Sequence, residues 1–145
     1  MPVRAPHSPA DFAAYYQLRY QVLRQPWQQP PGSERADDDD APTTMHALYT
    51  TPEGHVAGVA RQHPSGPRQI QVRYMAVDPA FQGQGIGRQL LAYLEAGARQ
   101  QGYTECILHA RQEAVPFYER LGYHVVAPSH LLFGSIQHFL MRKEL

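Results

Sequence analysis

The chain of 145 residues carries 13 Lys+Arg against 13 Asp+Glu, is 43% hydrophobic and 18% charged, and so has the make-up of one globular domain rather than of a disordered tail. Balanced charge and a pI near 7.1 exclude the basic face that displaces counterions from a nucleic-acid backbone. Cys106 has no intrachain partner, the N-terminus lacks an apolar leader, and no run reaches the ~18 apolar residues of a bilayer span, so the expectation is a soluble cytoplasmic protein without membrane or nucleic-acid partners.

Ser8-Pro9-Ala10-Asp11 combines a capping hydroxyl, a proline at the first helical position and an acid in the first turn; with Phe12, Tyr15, Leu18 or Arg19 and Val22 at helical spacing, it predicts a helix over 9–24, stopped by Pro26. From Pro26 to Thr44 the chain is rich in Pro, Gly and acid and aperiodic, which predicts a long loop with at most a helical turn. Strands are expected at 46–51 and 56–61 around the turn 52–55, and after a Pro/Gly break at 63–67 another at 70–77, ending in Asp78-Pro79. Ile86, Leu90, Leu94 and Ala98 step along a helix that Gly102 closes. A strand at 104–108, a short helix at 115–121, a strand at 123–126 and a last one at 138–142 complete a mixed α/β sheet with helices on both faces, in a single domain over 1–145.

Between the strand ending at Val77 and the next helix lies Gln82-Gly83-Gln84-Gly85-Ile86-Gly87-Arg88. Glycines there let backbone N–H groups approach a ligand, and the helix start adds unpaired donors and partial positive charge, a natural phosphate site. Arg88 opposes the helix dipole unless an anion lies between them. A P-loop is excluded, because no Gly-Lys-Ser/Thr follows; a dinucleotide fingerprint lacks its third glycine, where Arg88 stands, and Glu105 matches an acidic ribose partner by distance alone.

Gln82 to Gly87 fits Gln/Arg-x-x-Gly-x-Gly/Ala, the acyl-CoA pyrophosphate motif, and resembles the GNAT superfamily of N-acetyltransferases; Arg73-Tyr-Met-Ala-Val77 is similar to that family's splayed strand, and Ala114 to Tyr123 to its Ala-x-x-x-Tyr-x-x-x-Gly-Phe/Tyr segment. The resemblance is strongest over 70–126. It implies a single, mostly antiparallel GNAT-like sheet and an enzyme that passes an acetyl group from acetyl-CoA to a primary amine, small or on a protein, in a ternary complex. The alternative is a non-catalytic acyl-CoA-binding module. It places cofactor binding at Met75, Ala76, Val77 and Gln82 to Arg88, namely Gln82, Gly83, Gln84, Gly85, Ile86, Gly87 and Arg88, and the general acid at Tyr118. The family's Asn before that helix is missing; Arg111, Gln112 and Glu113 stand there.

For the base, His46, His63, His109, His124 and His138 titrate in a suitable range in principle, and Glu34 in the acidic loop is the residue selected as catalytic, with a water relay as its alternative. Asp37 to Asp40 read either as a solvated charge run or as an acidic lip attracting a cationic amine. Histidine spacing fits no zinc site and no Gly-x-Ser-x-Gly elbow occurs, so neither a metal nor a covalent nucleophile is expected. A homodimer is admitted by this reading.

Overall fold

In a computed structural model, which describes residues 2–145, the Ser8 hydroxyl accepts from the Asp11 N–H and the Asp11 carboxylate accepts from the Ser8 N–H. This capping box opens helix α1 (Pro9–Leu23). Strands β1 (Val3–Arg4), β2 (Met45–Thr50), β3 (Val56–Gly66), β4 (Gln69–Val77), β5 (Glu105–Arg111), β6 (His124–Leu132) and β7 (Ile136–Glu144) form one sheet in the order β1-β2-β3-β4-β5-β7-β6. Every neighbouring pair is antiparallel except β4 and β5, which helix α2 (Ile86–Gln100) connects as a parallel crossover. Helix α3 (Val115–Arg120) follows β5.

Alternation along the central strands divides the core between the two faces of the sheet. Leu48, Val59 and Ala76 pack against Tyr15, Tyr16 and Leu18 of α1. Ala47, Ala60, Ile70 and Val72 pack against Ile86, Leu90, Leu91, Leu94 and Ala98 of α2. Leu90, Leu91 and Leu94 are fully buried, so truncating any one of them to Ala would cost ~2–5 kcal/mol. The start of α2 lies close on the sheet because β3 has Gly58 beneath it, where an added Cβ would stand 2.6 Å from Ile86 Cγ2.

The observed elements run past the predicted ones where signals conflict. β3 continues through His63-Pro64, because β2 ends at Met45 opposite Gln62 and leaves Pro64 a strand neighbour on one side only. β6 exceeds 123–126 by six residues of exposed edge strand, with Pro128 and two register shifts, where no hydrophobic alternation exists to be read. The loop 26–44 is a chain of tight turns after a 3-10 turn at Gln25–Trp27, linked by hydrogen bonds such as Ser33 N to Pro30 O and Asp39 N to Ala36 O. On α1, Arg19 rather than an apolar residue is fully buried.

Candidate active site

β4 and β5 pair only from Gln69–Glu105 to Val72–Leu108. Beyond that point, the register of β4 against β3 jumps between Arg73 and Ala76, a bulge in which Tyr74 takes a left-handed φ of 57°. The strands diverge, leaving β4 backbone groups facing β5 without strand partners and opening a cleft of about 760 Å³. At the end of β4, the Asp78 side chain accepts from the Ala80 N–H and caps the 3-10 turn Pro79–Phe81. Gly85, at φ 77°, then serves as N-cap of α2 with no side-chain cap. The N–H groups of Ile86, Gly87 and Arg88 therefore point out of the helix without intrahelical acceptors, and no acid occupies the first turn to neutralise them. Met75, Ala76, Val77, Gln82, Gly83, Gly85, Ile86 and Gly87 all line the cleft; Gln84 and Arg88 do not. The donors and the cradle fit an anionic phosphate with an amide-rich arm lying along β4.

Tyr118 is buried against the cleft on α3, with Phe117 and Tyr123 edge-on to its ring at 5.0 and 5.9 Å. Its hydroxyl makes no hydrogen bond among the described residues, and burial, opposed by the Arg111 charge, pushes its pKa up to about 12. It holds its proton at neutral pH, the state that a general acid needs before a transfer. Tyr123 supports this wall by donating to Glu95 at 2.8 Å, with Cys106 Sγ 3.2 Å from its hydroxyl. Burial pushes the Cys106 thiol up to about 11, which makes it a packing residue, not a nucleophile.

β5, β6 and β7 bring His109, His130 and His138 to the same cleft. The rings of His130 and His138 stack at 4.4 Å, and His109 lies 5.4 Å from His130. His138 Nδ1 is 2.9 Å from the Ile136 carbonyl, so Nδ1 carries the hydrogen and Nε2 keeps its lone pair. Burial, with the His130 and Arg111 charges, lowers the His138 pKa; burial and the neighbouring His130, His138 and Arg73 charges lower that of His109. Both imidazoles are neutral at neutral pH. His130 escaped the sequence reading because it sits on the exposed strand β6, which has no periodicity. Among the described residues, no cluster of His, Cys, Asp or Glu has metal-binding geometry, and no helix is long and apolar enough to cross a membrane.

The acidic loop is placed differently from expectation. Glu34 is buried, its Oε1 accepts from the Gly32 N–H at 2.8 Å, its backbone carbonyl accepts from Arg19 at 3.1 Å, and it does not line the cleft. Asp39 accepts from Arg19 at 2.9 Å, Arg61 at 2.7 Å, Tyr16 at 3.1 Å and the Ala36 N–H at 2.9 Å, while Asp38 accepts from Arg61 at 2.7 and 2.8 Å. These two aspartates neutralise fully buried arginines instead of forming an acidic lip; Asp38 is partly exposed, and Asp37 and Asp40 are the exposed residues of the run. His46 belongs to the same network, bridging the Tyr15 hydroxyl and the Asp39 carbonyl. Trp27 lines the cleft, 6.2 Å from Phe133 in the β6–β7 turn.

A family model described as an acetyltransferase (GNAT) domain matches residues 33–145. N-acetyltransferase family 8 member 2 of Rattus norvegicus is 31% identical over 123 residues, which cover 74% of this chain and 54% of that protein. The uncharacterized N-acetyltransferase YjcF of Bacillus subtilis is 37% identical over 60 residues, 41% of this chain and 43% of that one. The chain thus spans about half the length of these curated relatives. Among solved structures, an assigned N-acetyltransferase from Lactobacillus plantarum superposes with a TM-score of 0.85 at 28% identity, covering 99% of this chain and 97% of that one. An aminoglycoside 6'-N-acetyltransferase complexed with coenzyme A has the same fold, with a TM-score of 0.81 at 17% identity and coverage of 99% and 97%.

Proposed function

The chain belongs to the GNAT acetyltransferase domain family, and from that premise we propose that it is an acyl-CoA-dependent N-acyltransferase, moving acetyl from acetyl-CoA to a primary amine by direct transfer in a ternary complex. The observation that carries this reading is the joining of three features in one cleft: unpaired β4 backbone, an uncapped α2 N-terminus and a buried, protonated tyrosine. Gly83, Gly85 and the first N–H groups of α2 hold the pyrophosphate, and the β4 backbone from Met75 to Val77 aligns the pantetheine arm and polarises the thioester carbonyl.

The amine nitrogen then attacks the carbonyl carbon, the C–N bond forms and the C–S bond breaks. Tyr118 gives its proton to the departing sulfur, and the nitrogen's proton passes to His138 Nε2, directly or through water, so both charges formed in the step are quenched. Because the two substrates meet directly, no covalent enzyme intermediate is needed. Glu34, bonded to its own loop, is given a positioning role.

The test is release of CoA thiol against a panel of amines, run alongside calorimetric CoA binding. Gly85→Asp places a carboxylate among the phosphate donors and forces a side chain onto a left-handed backbone, so CoA binding should be lost while the fold survives by circular dichroism. Tyr118→Phe should lower kcat by ~10²–10⁴-fold with little change in KM for acetyl-CoA. Unchanged CoA affinity in folded Gly85→Asp, or a Tyr118→Phe loss of less than a few-fold, overturns the corresponding assignment.

A further inference from the structure

Charge in the cleft is one-sided. Arg24, Arg73, Arg111 and three histidines line it, and no Asp or Glu does among the described residues. Two of the arginines gather on one aromatic ring. Arg24 and Arg73 lie against the Tyr74 ring, 5.6 and 4.7 Å from its centroid, and Arg111 lies 5.9 Å from that of Trp27. Arg73 precedes Val77, the last residue of β4, by four strand residues, roughly 13 Å, so it stands away from a pyrophosphate held beyond that strand's end.

None of the three has a carboxylate partner among the described residues. The Arg24 guanidinium donates only to the backbone carbonyls of Leu23 and Ser33, and Arg73 donates only to the Tyr74 hydroxyl. The contrast with Arg19 and Arg61 is direct, since those are closed off by Asp38 and Asp39. Half-buried Arg24 also has its pKa lowered, by burial first and then by the Arg19 and Arg73 charges, which outweigh the opposing effects of Tyr74 and of the Glu34 carboxylate, a group that makes no ion pair with it.

Resting on the acyltransferase reading above, we propose that the acceptor is a small amine bearing a free carboxylate, which Arg24 and Arg73 bind at the Trp27 end of the cleft so that its amine faces the thioester. Guanidinium groups bind carboxylates through paired, charge-assisted hydrogen bonds, which orient as well as attract. A cleft of about 760 Å³ that must also admit the acyl arm limits the acceptor to small-molecule size. The same positive surroundings disfavour the ammonium form of the amine and thereby raise the fraction of its nucleophilic neutral form, while they repel polycations.

Matched acceptors decide the matter: amino acids and short peptides against their C-terminal amides, with spermidine and an aminoglycoside as polycations, all read by CoA thiol release with acetyl-CoA. Carboxylate acceptors should exceed their amides by about tenfold or more in kcat/KM. In Arg73→Ala, and separately in Arg24→Lys, which keeps the charge but loses the planar fork, that ratio should fall toward one through KM, with CoA affinity held within about twofold. Equal or better turnover of amides or polycations overturns the proposal and leaves the acyltransferase reading standing. A loss of CoA affinity in Arg73→Ala that matches its loss of activity assigns the arginine to the cofactor and overturns it as well. If CoA binds but no amine releases thiol, the acyltransferase reading fails and takes the proposal with it.

Discussion

Two groups of arginines meet at one tyrosine ring and have opposite fates. Arg19 and Arg61, at 4.3 and 5.5 Å from the Tyr74 centroid, are fully buried and closed off by Asp38 and Asp39. Arg24 and Arg73, against the same ring, have no carboxylate and line the cleft. A buried guanidinium without a counter-ion would unfold its surroundings, so the first group had to be neutralised by the chain itself. The second group is exposed enough to remain charged and awaits an anion from outside. Charge balance within the protein therefore marks structure, and charge imbalance in a cleft marks binding.

The largest test breaks the balanced side. Asp39→Ala leaves Arg19 without its carboxylate and Arg61 with Asp38 alone, and should destabilise by ~3–5 kcal/mol in chemical denaturation. A loss below 1 kcal/mol would mean that the pairs contribute nothing beyond a solvated contact.

A second test separates the two regions by pH. The Asp38 and Asp39 carboxyls are held below the ordinary range, Asp38 at about 2 mainly by its Arg61 hydrogen bonds, and Asp39 by the Ala36 N–H and both arginines against the opposing effect of burial. Their contribution to stability is complete above the unfolded carboxyl value of ~3.9 and is lost as pH falls toward about 2. His109 and His138 are also depressed, so they remain neutral down to below the unperturbed value of ~6.5 and protonate only at more acid pH. Activity should therefore fall on an acid limb centred below ~6.5, ahead of the loss of the aspartate network, when rate and denaturant midpoint are followed on the same samples. His138→Gln should flatten that limb. Coincident loss of rate and fold would remove the histidines from the proton path.

The smallest effect is expected at the exposed ends of the aspartate run. Asp37→Ser and Asp40→Ser should each change stability by no more than ~0.5 kcal/mol. They should also leave KM for any acceptor unmoved, since neither residue lines the cleft. A KM change confined to cationic acceptors would restore the acidic lip.

Much of this was written locally. The capping box at Ser8, the Gln82 to Gly87 turn and the four-residue spacing of Ile86, Leu90, Leu94 and Ala98 are signals between near neighbours, and a propensity or a cap acts over a few residues. They determined the helices, the glycine turn at the start of α2 and the position of Tyr118 on a short helix. What the tertiary structure alone decided was partnership. Four consecutive aspartates look alike in the sequence, yet Asp38 and Asp39 reach arginines twenty or more residues before or after them in the chain, while Asp37 and Asp40 are exposed. The gathering of His109, His130 and His138 likewise needed three strands to pair in an order the chain does not follow, β5-β7-β6. Long-range contacts leave no spacing to read, because sheet topology, not distance along the chain, sets which side chains share a cleft.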